Sequence, residues 1–221
     1  MGKNKLRRFE KNKTFVHLLQ PSVAYPLQDD AIKGKWNEAF FSKPQPIVLE
    51  LGCGRGEYTV NLARFSPGHN YVGVDIKGAR IWRGAKTVHE ENLKNVGFLR
   101  IQIEFIENFF AEKEVNEIWI TFPDPQLQQS RERKRLTSPR FLSRYKNILV
   151  PGGLVHLKTD NRELYEYTLG VAKELDYPVE KSTDDLYATA DTEEVLAIKT
   201  TYEQIFLKQG IKICYLRFRI P

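Results

Sequence analysis

The stretch "PIVLELGCGRGEY", residues 46–58, contains the change of pattern that decides the fold. Its first six residues, 46–51, are almost all apolar, which suits a strand buried on both faces. Gly52, Gly54 and Gly56 follow at once, and the helical pattern begins after them, over 57–65. Glycines at such a turn reach positive φ and let a ligand press against the backbone, while the next helix offers its free N-terminal NH groups. Strand, glycine turn and helix together make the first half of a βαβ unit.

The same alternation extends in both directions. "YVGVDI" (71–76), "VGFLRIQI" (96–103), "EIWITF" (117–122) and "GLVHLK" (153–158) read as further strands, and helices are expected at 78–93, 138–149 and 161–175. Ser138-Pro139 offers a cap followed by proline at the first helical position. This order predicts an α/β fold with a doubly wound, mostly parallel sheet of Rossmann-like type. "TTYEQIFLKQG" reads as a helix stopped by Gly210, and the strand "IKICYLRFRI" follows so closely that it is expected antiparallel at one edge of the sheet. "WNEAFF" is expected to end a short amphipathic helix, and 177–198 reads as loop with some helix. Residues 1–43 are thus expected to form a basic N-terminal arm with a short helix, and 44–221 the main domain.

Composition limits the function classes. A chain of 221 residues with 41% hydrophobic content can bury one substantial core. It lacks an apolar run long enough for a membrane span or a secretory signal, so a cytoplasmic protein is expected. Cys53 and Cys214 lie far apart and the four histidines are scattered, so no metal site is expected. The net charge of +6 is concentrated: residues 1–13 carry +5 and "RERKR" (131–135) carries +3, leaving the remainder at −2. Two flexible-looking basic segments on a mildly acidic domain form a footprint for a polyanion; a solubilising tail with a solvated loop is the plainer alternative.

Spacing in the glycine loop selects among ligands. A dinucleotide fingerprint is G-x-G-x-x-G; here the third glycine comes one residue early and Glu50 precedes the loop. A carboxylate in that place repels a pyrophosphate and attracts a cation, which suits the sulfonium and ammonium of S-adenosylmethionine. Asp75 ends the next strand, where an acid can accept hydrogen bonds from ribose hydroxyls. Farther on, "TFPDP" (121–125) leaves a strand end with Asp124 between two prolines, which push Phe122 and Asp124 away from helical geometry and stiffen the loop as extended chain. A rigidly placed carboxylate suits methyl transfer, in which the nucleophile must lie in line with the S–CH₃ bond.

Taken in order, "ELGCGRGEY", "GVDIK", "TFPDP", "KRLTSPRFL", "GGLVHLKTDN" and "TTYEQIF" resemble the tRNA (guanine-N7)-methyltransferases, over nearly the whole chain. The resemblance implies a class I methyltransferase that uses S-adenosylmethionine to methylate N7 of a guanine in the tRNA variable loop. It implies cofactor contacts at Glu50, Gly52, Gly54, Gly56, Asp75 and Asp124, with Asp124 also catalytic. Substrate contacts are implied at Asp160, Thr200, Thr201, Tyr202 and Glu203, and an RNA-interacting stretch at Ser130, Arg131, Glu132, Arg133, Lys134 and Arg135. Gln126 and Gln128 stand where the family has Trp and Lys, so the substrate contact of that Lys falls to Gln128. Ungapped counting puts Gln102 near the adenine, with Glu104 close by. Two local readings stay open beside these roles: Thr200 and Glu203 match the capping box S/T-x-x-E, and Asp160-Asn161 matches a helix cap. Phe122, Phe141 and Tyr145 are candidates for stacking on a base, against core packing for the last two. The rival functions are a methyltransferase acting on another RNA or a small molecule, and a non-catalytic RNA-binding module on the same fold. A monomer or homodimer is expected.

Overall fold

The computed structural model describes residues 2–22, 28–188 and 193–221. Eight strands form one sheet in the order β1-β4-β3-β2-β5-β6-β8-β7. The strands are β1 (Leu18–Leu19), β2 (Ile47–Leu51), β3 (Asn70–Val74), β4 (Val96–Leu99), β5 (Val115–Thr121), β6 (Leu149–Thr159), β7 (Val179–Thr183) and β8 (Cys214–Ile220). The helices are α1 (Gly2–Asn12), α2 (Glu57–Phe65), α3 (Gly78–Glu91), α4 (Pro139–Ile148), α5 (Arg162–Glu174) and α6 (Thr201–Lys208). Strands β1 to β6 pair in parallel, whereas β8 is antiparallel to both β6 and β7.

Side-chain alternation distributes two cores over the two faces. In β5, Ile118 and Ile120 join one cluster with Phe141, Tyr145 and Leu157, while Trp119 points into the other with Val48, Tyr58 and Tyr215. Phe141 and Tyr145 are therefore core residues. Two layers of helices are required because a parallel sheet is apolar on both faces.

Strand order reverses between β2 and β5, which lie side by side with Leu51 opposite Ile120. Chain connections leave that point in opposite directions, so a crevice opens at the carboxyl ends of these two strands.

Several local expectations need correction. The C-terminal strand is antiparallel, yet β7 takes the sheet edge and β8 lies inside. β7, "VEKST", lies in the stretch 177–198 expected as loop with some helix, because an edge strand buries little and carries no apolar run; a 3-10 turn at Glu194–Ala197 supplies the helix there, and residues 189–192 lie outside the described ones. The strand expected at 96–103 ends at Leu99. "WNEAF" forms a five-residue π-helical turn. Neither basic segment is irregular: residues 2–12 form α1, and 129–134 form a 3-10 helix. α1 is anchored to α3 by Asn12, whose buried Nδ2 donates to Gly78 O at 2.8 Å. Ser138 stands before α4 with Pro139 in the first turn, but its hydroxyl donates to Arg133 O and caps nothing.

Candidate active site

The crevice is built around Glu50. Its side chain, in a residue 3% exposed, accepts from Thr121 Oγ1 at 2.6 Å, from Thr59 N at 2.7 Å and from Thr59 Oγ1. These bonds join β2 to β5 across the switch point and to α2. Burial pushes the Glu50 carboxyl up to about 7, against the opposing pull of the Thr121 and Thr59 hydrogen bonds. A buried acid so close to neutrality is primed to respond to a nearby cation.

The three glycines above it perform two tasks. Gly52, Gly54 and Gly56 have φ of 77°, 54° and 70°. A Cβ on Gly54 would meet nothing nearer than Gly52 O at 3.9 Å, so the loop backbone there is bare toward the cleft. A Cβ on Gly56 would instead fall 2.5 Å from Phe98, so this glycine lets α2 pack on the sheet. Asp75 secures the loop: Oδ2 accepts from Gly54 N at 2.9 Å and Oδ1 from Lys77 N at 2.7 Å.

The resulting cleft, about 470 Å³, is lined among others by Glu50, Gly54, Arg55, Thr121, Phe122 and Tyr202. Gly56, Asp75, Gln102, Asp124 and Asp160 do not line it; Asp75 holds Gly54, which does. Gln102 is exposed at the start of a 3-10 turn beyond β4. Asp160 is half-buried just past β6, and burial raises its carboxyl above the usual range.

Asp124 follows Phe122 out of β5. Phe122 N donates to Lys158 O at 2.8 Å, prolonging the β5–β6 ladder by one step. Phe122 then turns into the left-handed region at φ 48°, and Gln126 does the same at 47°. Proline thus keeps Phe122 out of the right-handed helical region, but the loop is not the extended chain expected. Non-glycine residues in this conformation are strained, and a pair of them brackets the exposed Asp124. Asp124 Oδ1 accepts from Gln126 N at 3.1 Å, and the rest of its carboxylate faces solvent.

Two charged residues named as contacts from the sequence lie under the site. Glu203 is 0% exposed: it accepts from Thr200 N at 3.3 Å and from Tyr187 OH, and pairs with Lys158 Nζ at 2.8 Å. Thr200 Oγ1 accepts from Glu203 N, completing the capping box. Lys158, also 0% exposed, donates further to Leu196 O and Ile198 O, and burial lowers its pKa. This pair ties β6 to α6, so Glu203 supports the site rather than meeting a substrate. Arg135 is likewise only 6% exposed. It donates to Gln126 O and Glu163, both at 3.3 Å, and lies 4.2 Å over the Tyr167 ring, while Tyr167 OH donates to Glu132. Arg135 and Glu132 are thus engaged internally; Gln128, Ser130, Arg131, Arg133 and Lys134 remain exposed. The role of Lys158 was missed, although a lysine inside the apolar run "LVHLK" was a visible signal.

At the opposite wall, Thr201 N and Oγ1 donate to Glu57 at 2.8 and 2.9 Å, fixing the start of α6 beside the start of α2. Tyr202 is 46% exposed and faces the Arg55 guanidinium at 6.0 Å. Among the described residues no group of three or more His, Cys, Asp or Glu is arranged to hold a metal, and no helix is long and apolar enough to cross a membrane.

Comparisons with known proteins agree with this geometry. A family model described as a putative methyltransferase matches residues 44–216. A tRNA (guanine-N(7)-)-methyltransferase of Christiangramia forsetii is 52% identical over 99% of either chain, and one of Bacteroides fragilis is 48% identical over 100% of this chain and 87% of its own. Among solved structures, the 16S rRNA methyltransferase KamB superposes with a TM-score of 0.64, at 17% identity, over 91% of this chain and 99% of its own. That distant likeness speaks for the fold, a Rossmann-like class I methyltransferase fold, while the close relatives settle the family. The chain belongs to the tRNA (guanine-N(7)-)-methyltransferase family.

Proposed function

We propose that this protein methylates N7 of a guanine in the variable loop of tRNA, with Asp124 as its catalytic carboxylate. The observation that carries the reading is the juxtaposition of a cation-ready buried acid, Glu50, with a strained loop that leaves the Asp124 carboxylate open. S-adenosylmethionine fits the cleft: Glu50 meets its positive charge, the bare backbone of Gly52 and Gly54 admits close approach, and Asp75 borders the place for a ribose. When bound, it supplies the methyl group and receives the C–S electron pair at sulfur.

Guanine N7 carries a lone pair and no proton, so the protein need not remove one, and no metal is required to generate a nucleophile. Asp124 accepts hydrogen bonds from the guanine N1–H and amino group, orienting N7 and offsetting the positive charge that builds on the purine. The Pro123-Asp124-Pro125 loop, fixed by Lys158 O and Arg135, holds that carboxylate in place. Tyr202, Thr200 and Thr201 form the wall opposite, and Asp160 and Gln128 lie on the substrate side; Gln102 is the weakest of the cofactor assignments, being exposed away from the cleft. Ser130, Arg131, Arg133 and Lys134 offer positive charge and hydrogen bonds to tRNA phosphates. The α1 surface faces the RNA in a cytoplasmic monomer or homodimer, although β1 and Trp36 integrate residues 1–43 into the same sheet and core as 44–221.

Incubation with labelled S-adenosylmethionine and bulk tRNA, followed by nucleoside analysis, tests the reading. Label in 7-methylguanosine is expected; label in another nucleoside, or none, overturns it.

A further inference from the structure

Beyond the cofactor cleft a larger groove, about 1180 Å³, opens between α1, α3 and the start of α6. Arg8, Arg55, Arg80, Trp82, Arg83 and Tyr202 line it. Arg55, Arg80 and Tyr202 belong also to the cleft, so the two spaces are continuous. The acid in this lining, Glu57, has both carboxylate oxygens engaged by Thr201. Arg7 and Lys11 carry the positive surface on along α1, whereas Lys86 on α3 is paired with Glu90 at 2.6 Å.

Two of these cations face aromatic rings. The Arg8 guanidinium lies 4.9 Å over the Trp82 ring, and Arg55 faces Tyr202. Stacking on an aromatic face keeps the planar donor fork of an arginine in a fixed plane with its edge free for an anion. α1 is fixed to α3 through Asn12, and Gly78 approaches Phe9 so closely that an added Cβ would lie 2.9 Å from its ring. Helical spacing sets Arg80 and Arg83 on one side of α3. Arg7, Arg80 and Arg83 make no salt bridge among the described residues.

We propose that this groove is the track for the sugar–phosphate backbone of the tRNA beside the nucleotide being methylated. The proposal rests on the tRNA reading above and adds a surface separate from the 130–134 patch. Charge complementarity selects the occupant: fixed arginine forks bind phosphates bidentately, and aromatic rings between them accept an unstacked base.

The test is the double variant Arg7→Gln/Arg83→Gln, two exposed residues outside the cofactor cleft. Binding of unmodified tRNA is measured across a salt series, together with cofactor affinity and turnover at saturating tRNA. At 0.15 M salt, tRNA binding is expected to weaken about tenfold, and the log–log salt dependence to become shallower by about 1 to 2. Cofactor affinity and saturated turnover are expected to match the wild type. Unchanged tRNA affinity with an unchanged salt slope, while the wild type methylates tRNA normally, overturns the track alone. A wild type that neither binds nor methylates tRNA overturns the functional reading and the track together.

Discussion

The two halves of the active-site rim are built on opposite plans. On the cofactor side, the left-handed turns fall on glycines, and Glu50 and Asp75 have both oxygens engaged by Thr59, Thr121, Gly54 and Lys77. On the substrate side, left-handed turns fall on Phe122 and Gln126, at a cost of about 1–3 kcal/mol each, and Asp124 keeps most of its carboxylate free. The first half is satisfied before any ligand arrives. The second is strained, and its shape is imposed by neighbours: the Lys158 carbonyl, the Arg135 fork and, beneath them, the Lys158–Glu203 pair. A carboxylate meant to receive guanine cannot have its lone pairs taken up internally, so the restraint has to act on the backbone around it.

The strongest challenge to that comparison removes the hidden support. Glu203→Gln leaves the Lys158 charge buried without its counter-ion, and chemical denaturation is expected to show a loss of about 3–5 kcal/mol. Lys158→Met/Glu203→Leu, which removes both charges, is expected to recover much of it. A single variant as stable as the wild type would mean that the pair does not hold α6 to β6. Next in size, Asp124→Asn is expected to lower kcat about a hundredfold or more, with cofactor Kd within about twofold of wild type. A comparable loss of cofactor affinity would erase the division between the two halves.

The cofactor half was the more legible in the sequence, for a physical reason. Glycines at 52, 54 and 56, Glu50 and Asp75 act within a single βαβ unit, where local spacing already fixes geometry. The strand and helix order was legible for the same reason, since runs such as "PIVLEL" and "EIWITF" are buried on both faces. β7 was not, because "VEKST" alternates half-buried and exposed residues at an edge. Arg135 and Glu203 were misplaced as contacts because burial of a charge depends on partners remote in the chain: Glu163 and Tyr167 for one, Lys158 and Tyr187 for the other. The capping-box spacing of Thr200 and Glu203 was local and visible; the lysine beneath it was not tied to them by any spacing.

Arg135 offers a sharper division within the basic loop. Arg135→Gln is expected to lower kcat about tenfold, because Gln126 O and the turn beside Asp124 lose their anchor. Arg133→Gln is expected to raise KM for tRNA and leave kcat alone, as loss of an exposed phosphate contact should. If Arg135→Gln also changed KM alone, its place would be with the RNA contacts and not with the loop.

The smallest effect concerns Glu50 and reports on the satisfied half. Its folded-state value of about 7 lies above the reference 4.5, so its contribution to the stability of the unliganded protein is full below pH 4.5 and is lost as pH rises through 7. Cofactor binding has the opposite sign, because a cation beside Glu50 favours the ionised form. Between pH 7.5 and 6.5 the ionised fraction falls about threefold, and calorimetric titration is expected to show a similar loss of S-adenosylmethionine affinity, with proton release on binding. Glu50→Gln is expected to bind more weakly and to lose this pH dependence. A wild-type affinity that stays flat over the range would mean that Glu50 is already ionised in the empty cleft, and that the hydrogen bonds from Thr59 and Thr121 outweigh burial.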